Sequence, residues 1–139
     1  MKKLPKIKTL EDKLWELCKQ IIRLKYPNTC FTCGLENLKG KNLHTGHFIK
    51  KRKLPYELKF DLRFLRPQCN KCNLFNNGNE GMYAINLVKT EGVDYLLSLD
   101  SEMLFYKFIP ELSIPDKRQF LLFKIEEYQT IKERLLDIE

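Results

Sequence analysis

Apolar side chains recur at three- and four-residue spacing from Leu10 to Leu24, which predicts an amphipathic helix as the first element. Leu10, Leu14, Leu17, Cys18, Ile21 and Leu24 share one face, widened by Trp15 and Ile22. Lys13, Glu16, Lys19, Gln20 and Arg23 lie largely opposite. Thr9-Leu10-Glu11-Asp12 reads as a capping box with Asp12 in place of the usual Glu or Gln. The helix should stop before Pro27, because proline disfavours helical geometry in the residue ahead of it. Residues 1–8 read as a basic arm in front of this helix.

From Cys30 the helical period is lost. Cys30-Phe31-Thr32-Cys33-Gly34 predicts a tight turn, its glycine supplying a positive φ angle. Residues 42–49 predict a strand, Lys50-Lys51-Arg52-Lys53 a basic loop ended by Leu54-Pro55, and residues 59–65 a second, alternating strand closed by Pro67. Residues 79–89 can form a helix that Gly92 breaks, and Val93 to Leu99 a short helix or turn. Met103 to Ile109 is aromatic and without a clear period. Ser113 to Asp116, with Pro115 early in the first turn, starts a long final helix over Asp116 to Leu136. Its apolar set is Leu121, Leu122, Ile125, Tyr128, Ile131, Leu135 and Leu136, with Phe120 and Phe123 toward another side. That helix either completes the core or pairs two subunits.

The 139 residues, 43% of them hydrophobic, suit one domain with appended elements and a modest core. No apolar run of roughly 18 residues occurs, so no membrane span is expected. The basic N-terminus is not followed by a signal-type apolar stretch. The expected compartment is the cytoplasm, where paired thiols at this spacing favour zinc over disulfides. The net charge of +7 is unevenly spread. Residues 1–72 carry 18 Lys/Arg against 6 Asp/Glu, a net of +12, and residues 73–139 carry 7 against 12, a net of −5. A positive field concentrated on one half suggests a polyanionic partner, most simply nucleic acid, although a solvated lysine-rich surface accounts for charge alone equally well.

The chemistry gathers in that basic half. Two Cys-x-x-Cys knuckles, Cys30/Cys33 and Cys69/Cys72, are separated by 35 residues that hold both histidines, His44 and His47. Two such turns make a closed four-thiolate zinc site with no open position for substrate, so the zinc is scaffold. Cys18, on the first helix, reads as core. The order of knuckle, histidine strand, loop, strand, knuckle and helix sets His47 to face Asn73. A histidine of near-neutral pKa beside a divalent ion can take a proton from water. An asparagine carbonyl is a fitting hard ligand for Mg²⁺, which would stabilise the departing oxygen.

These residues resemble a known family. Cys30-x-x-Cys33, Gly46-His47-Phe48-Ile49 and the run from Asp61 through Cys69 to Cys72-Asn73 resemble the HNH nuclease motif in its zinc-knuckle variant. Thr45-Gly46-His47-Phe48-Ile49, Phe60-Asp61-Leu62-Arg63, Pro67-Gln68-Cys69 and Gly78-Asn79 are similar to the phage NinG/Rap recombination proteins, over about residues 28–100. The resemblance implies an α+β fold with a ββα-metal, treble-clef-like core and four-cysteine zinc site, flanked by N- and C-terminal helices. Together with the flanking helices read from the spacing, this gives a single domain over 1–139, made of an arm and helix (1–27), the zinc-knuckle core (28–90) and a helical extension (91–139). The resemblance also implies one catalytic Mg²⁺ or Mn²⁺ and cleavage of phosphodiester bonds in branched DNA, such as Holliday junctions or D-loops, inside a phage-infected or lysogenic bacterial cell. Carried over, His47 is the general base, Asn73 stands near the metal, and Asp61 orients the loop between the strands.

One departure matters. Many HNH enzymes place a metal ligand immediately before the general base, and here that residue is Gly46. His44 can substitute only if a bulge at Gly46 brings it to the face of His47, since three residues apart on a regular strand they point opposite ways. Asn79 and Asp61 are other candidates, while Asn76 and Asn77 read as turn residues. Lys50, Lys51, Arg52, Lys53, Arg63 and Arg66 would surround the scissile phosphate, with Arg52 best suited to a two-bond grip. Two alternatives stay open: a non-catalytic zinc module that binds DNA or a protein, and a sequence-preferring nicking enzyme of homing or restriction type. A homodimer through the final helix would suit symmetric cutting of a four-way junction.

Overall fold

The computed structural model describes residues 3–138. Met1, Lys2 and Glu139, including the first two residues of the basic arm, lie outside the described residues. The chain folds into two compact units, one of residues 1–25 with 110–139 and one of residues 26–109.

The first unit is a pair of helices, α1 (Ile7–Lys25) and α4 (Ile114–Asp137). α1 buries Leu10, Leu14, Leu17, Cys18, Ile21 and Ile22, the predicted stripe except for Leu24, which like Trp15 is half-buried. α4 answers with Leu121, Ile125 and Tyr128, spaced four and three residues apart. Arg118 Nε donates to the Pro5 carbonyl and Lys132 Nζ to Gln20 Oε1, at 3.2 and 2.8 Å, so the two helices run in the same direction. Burial of each such Leu or Ile contributes about 1.5–3 kcal/mol. Ser113 caps α4 by accepting from Asp116 N at 3.3 Å, with Pro115 in the first turn as predicted. The predicted cap of α1 is not formed. The helix already begins at Ile7, so Thr9 lies inside it and Asp12 pairs with Lys8 one turn back.

The second unit holds a small sheet and two helices. Strands β1 (His44–His47) and β2 (Leu65–Gln68) pair antiparallel, with His44 opposite Gln68, Gly46 opposite Arg66 and His47 opposite Leu65. β2 lies later than the strand predicted at 59–65. Asp61 accepts a hydrogen bond from Arg63 N and turns residues 62–64 into a 3₁₀ turn, which removes them from the ladder. Pro67 sits inside β2 instead of closing it, which a two-stranded sheet tolerates because each strand has an open edge. The carbonyl of Pro67 accepts from Phe31 N at 2.8 Å, tying the first knuckle to the sheet.

α2 (Glu80–Glu91) and α3 (Val93–Lys107) follow, separated by Gly92. α3 runs about two turns beyond the predicted Leu99 and takes up the aromatic stretch from Met103 as far as Lys107. Phe48, Leu54, Leu58, Phe64, Tyr83, Leu87 and Leu99 form the core of this unit. A second cluster joins Leu38 to Cys30, Cys69 and Cys72. The architecture is thus mixed, helices with one small sheet and a cluster of four cysteines. Among the described residues no helix is long and apolar enough to cross a membrane.

Candidate metal centre and basic cleft

Cys30 and Cys33 sit on a turn closed by Gly34 N donating to the Cys30 carbonyl, with Gly34 at a φ of +82°. Cys69 follows β2 directly, and Cys72 stands in a single π-helical turn, Lys71–Phe75. The four Sγ atoms lie within 4.8 Å of one another, Cys33 and Cys69 at 3.7 Å. A tetrahedral zinc with Zn–S bonds of about 2.3 Å sets its sulfurs about 3.8 Å apart, so these four residues could hold a zinc ion. Polar groups around the sulfurs also suit thiolates. Cys72 N lies 3.4 Å from Cys69 Sγ, Asn79 Nδ2 3.6 Å from Cys72 Sγ and Thr32 Oγ1 3.4 Å from Cys30 Sγ. Burial alone would raise the Cys30 thiol, but the Thr32 hydroxyl and nearby backbone N–H groups outweigh it and bring it down to about 6. Asn79, a candidate metal ligand by sequence, serves here as a donor to a cysteine. Cys18 is buried on α1, in the other unit.

The same π-helical turn carries Asn73, whose N–H donates to the Cys69 carbonyl at 3.0 Å. Asn73 Nδ2 lies 2.9 Å from His44 Nδ1. His44 Nε2 donates to the Lys41 carbonyl at 2.9 Å, so the lone pair is on Nδ1 and accepts from Asn73. The predicted neighbour of Asn73 was His47, and its hydrogen-bond partner is His44. His47 and Asn73 nevertheless line one cleft of about 360 Å³, with Lys50, Lys51, Arg52, Leu74, Asn77 and Gly78. His47 Nε2 donates to the Lys59 carbonyl at 2.9 Å, which leaves the basic lone pair on Nδ1.

The basic residues separate into two groups. Lys50, Lys51 and Arg52 line the cleft, with Lys50 Nζ donating to Asn77 Oδ1 at 3.1 Å. Lys53 is exposed outside the lining. Arg63 is held by both oxygens of Asp61, at 3.0 and 2.6 Å, and by Glu102, so a phosphate would have to compete with two carboxylates. Arg66 is a correction to the expected phosphate contacts, because it is 1% exposed. Its guanidinium stacks near Tyr26, Phe31 and Tyr95 and bonds the Leu65 carbonyl, the Tyr95 hydroxyl and Glu91. A charge that deep must be paired, and these groups pair it.

Gly46 has a steric reason to be glycine. A Cβ there would meet Gln68 Oε1 at 1.7 Å and its Cδ at 2.6 Å. Gln68 is fully buried, and its Nε2 donates to Thr32 Oγ1 and to the Gly78 carbonyl, at 3.1 and 2.8 Å. Its Oε1 is buried with no hydrogen-bond partner among the described residues. Gln68 therefore ties the end of β2 to the first knuckle and to the turn before α2, while its side chain lies across Gly46 of the histidine strand. The sequence shows it only within Pro67-Gln68-Cys69, past the end of the strand expected at 59–65, where nothing marks it as buried. Gly46→Ala is expected to destabilise the protein by about 1–3 kcal/mol through overpacking. Gly81→Ala, where a Cβ meets nothing within 4 Å, should cost nothing. Thermal melts of the two variants check this, and Gly46→Asp should behave like Gly46→Ala.

No curated protein and no solved structure matches the chain. A family model, described as the bacteriophage lambda NinG protein, matches residues 1–134. The chain, with its four-cysteine cluster and basic histidine cleft, belongs to the NinG family.

Proposed function

We propose that this protein is a metal-dependent DNA endonuclease of the HNH type, with its strands, second knuckle and α2 as a ββα-metal core, acting on branched DNA in phage recombination inside the bacterial host. Membership of the phage NinG family supports the recombination-related role. The observation that carries the reading is His47: its Nε2–H is fixed on the Lys59 carbonyl, in a cleft shared with Asn73 and three cationic side chains.

In this reading His47 accepts a proton from water at Nδ1, and the water oxygen attacks phosphorus as the bond to the 3′ oxygen breaks. The regular pairing of β1, with no bulge at Gly46, leaves His44 outside the cleft lining. Asn73, which lines the cleft with His47, would offer its Oδ1 to a divalent ion there, while its Nδ2 lies 2.9 Å from His44 Nδ1. When bound there, Mg²⁺ or Mn²⁺ supplies charge stabilisation at the phosphoryl group and leaving oxygen. Lys50, Lys51 and Arg52 hold the DNA backbone and read no sequence. Asp61 shapes the turn before β2 through Arg63 N. The four cysteines, loaded with zinc, hold the π-helical turn that presents Asn73.

The test is nicking of a four-way junction and a linear duplex of matched sequence, with Mg²⁺ or Mn²⁺ and zinc-loaded protein. Faster cutting of the junction is expected. Binding without nicking on either substrate would overturn the reading in favour of a non-catalytic module. Cutting restricted to one sequence on linear DNA would point to a nicking enzyme of another kind.

A further inference from the structure

Leu74 and Phe75 are 60% and 75% exposed, an apolar pair set among Asn73, Asn76 and Asn77. They are not on a loose loop. Both belong to the π-helical turn whose Cys72 joins the thiol cluster, and Asn76 N closes that turn on the Lys71 carbonyl at 3.0 Å. Leu74 lines the cleft of His47, Lys50, Lys51 and Arg52. Phe75 lines the neighbouring hollow beside Cys33, Asn42, Cys69 and Lys71. The pair thus forms an apolar ridge, set on the turn that carries Cys72, at the edge of a cleft lined by Lys50, Lys51 and Arg52.

A solvated turn has no use for two large apolar side chains, and exposing them opposes solubility. Positive charge beside an aromatic ring is complementary to nucleic acid, where phosphates meet the cations and an unpaired base presents a face for stacking. In an intact linear duplex the bases are already stacked and an inserted side chain must break a step. At a branch point the stack is already interrupted. We propose that Phe75, supported by Leu74, stacks on an unstacked base at a DNA branch and so biases the cleft toward branched over linear DNA. This rests on the nuclease reading of the same cleft, and adds to it the group that distinguishes DNA shape.

The experiment measures affinity of zinc-loaded full-length protein, without Mg²⁺ or Mn²⁺, for a four-way junction and a matched linear duplex. Wild type, Phe75→Ala, Phe75→Trp and Arg52→Ala are compared, with circular dichroism as the folding check. Phe75→Ala is expected to lower the junction-to-linear affinity ratio by about fivefold or more, the scale of one aromatic–base stack. Phe75→Trp should restore the ratio and report the stack as quenched indole fluorescence on the junction. Arg52→Ala should weaken both substrates and leave the ratio near wild type. An unchanged ratio in Phe75→Ala overturns the proposal, as does an equal loss on both DNAs. So does a dimer in wild type that becomes monomer in Phe75→Ala, which would assign the ridge to a second copy of this chain. Wild type that binds neither DNA would instead overturn the nuclease reading itself, a result distinct from a flat ratio.

Discussion

Replacing His47 with alanine is expected to lower metal-dependent DNA cleavage by roughly 10²–10⁴-fold, the usual contribution of a positioned proton acceptor. His47 ends β1, where pairing with Leu65 fixes the backbone and the Lys59 carbonyl fixes the ring. Burial lowers its pKa to about 4, and the charges of Lys51 and Lys59 add to this, while the Lys59 carbonyl pulls the other way. A histidine with a lowered pKa is neutral, and so able to accept a proton, at any pH above about 4. The acid limb of the rate profile should therefore fall near pH 4 to 5 and not near the ordinary histidine value of about 6.5. The same lowering makes protonation oppose folding. Its contribution to stability is complete above about pH 6.5 and is lost as the pH falls toward 4. Initial rates of wild type across this range, with the variant beside it, test the first claim. A wild-type rate that halves near pH 6.5 would mean that another group limits the reaction.

Removing the four-thiolate metal is the second large effect. Structural zinc in small domains contributes on the order of 10–16 kcal/mol of apparent binding energy at neutral pH. Whole-domain stability is only about 5–15 kcal/mol. Cys30, Cys69 and Cys72 are buried with Leu38 in a cluster of their own, apart from the main core. Without a metal that cluster sets four thiols together with little apolar packing. Cys69→Ser, or chelation of the zinc, should unfold residues 26–109, abolish cleavage and release about one zinc per chain to a colorimetric chelator. Melting curves that do not change when the metal is withdrawn would show that the cluster is held by packing alone.

The helices of the first unit were readable because burial on one face imposes a three- and four-residue period. α1 keeps it, and on α4 Leu121, Ile125 and Tyr128 keep it while Leu122 and Leu136, expected in the same set, are exposed. α3 was only half readable. Leu97, Leu104 and Phe105 are exposed while Leu99 is buried, so its apolar residues ring the helix and give no period. β2 was misplaced because Lys59 to Leu65 alternates like a strand, yet Asp61 bonds back to Arg63 N and makes a turn. Among site residues, the cysteines were legible from spacing alone, since a two-residue gap is what lets one turn bind a metal twice. Arg66 was not legible. Nothing in Leu65-Arg66-Pro67 marks the arginine as buried, and its partners Tyr26, Tyr95 and Glu91 lie 25 or more residues away in sequence. Gly46 was noticed as a missing ligand, but its cause, the side chain of Gln68 lying across it, depends on strand register that only the fold supplies.

The central claim is a division of labour, in which four cysteines hold a scaffold and His47 performs the chemistry beside Asn73. It is tested most directly by measuring zinc content and junction cleavage together, in wild type and in His47→Ala, with Mg²⁺ or Mn²⁺ added. The account predicts about one zinc per chain in both proteins and cleavage only in wild type. Undiminished cleavage by a zinc-loaded, folded His47→Ala protein would contradict it.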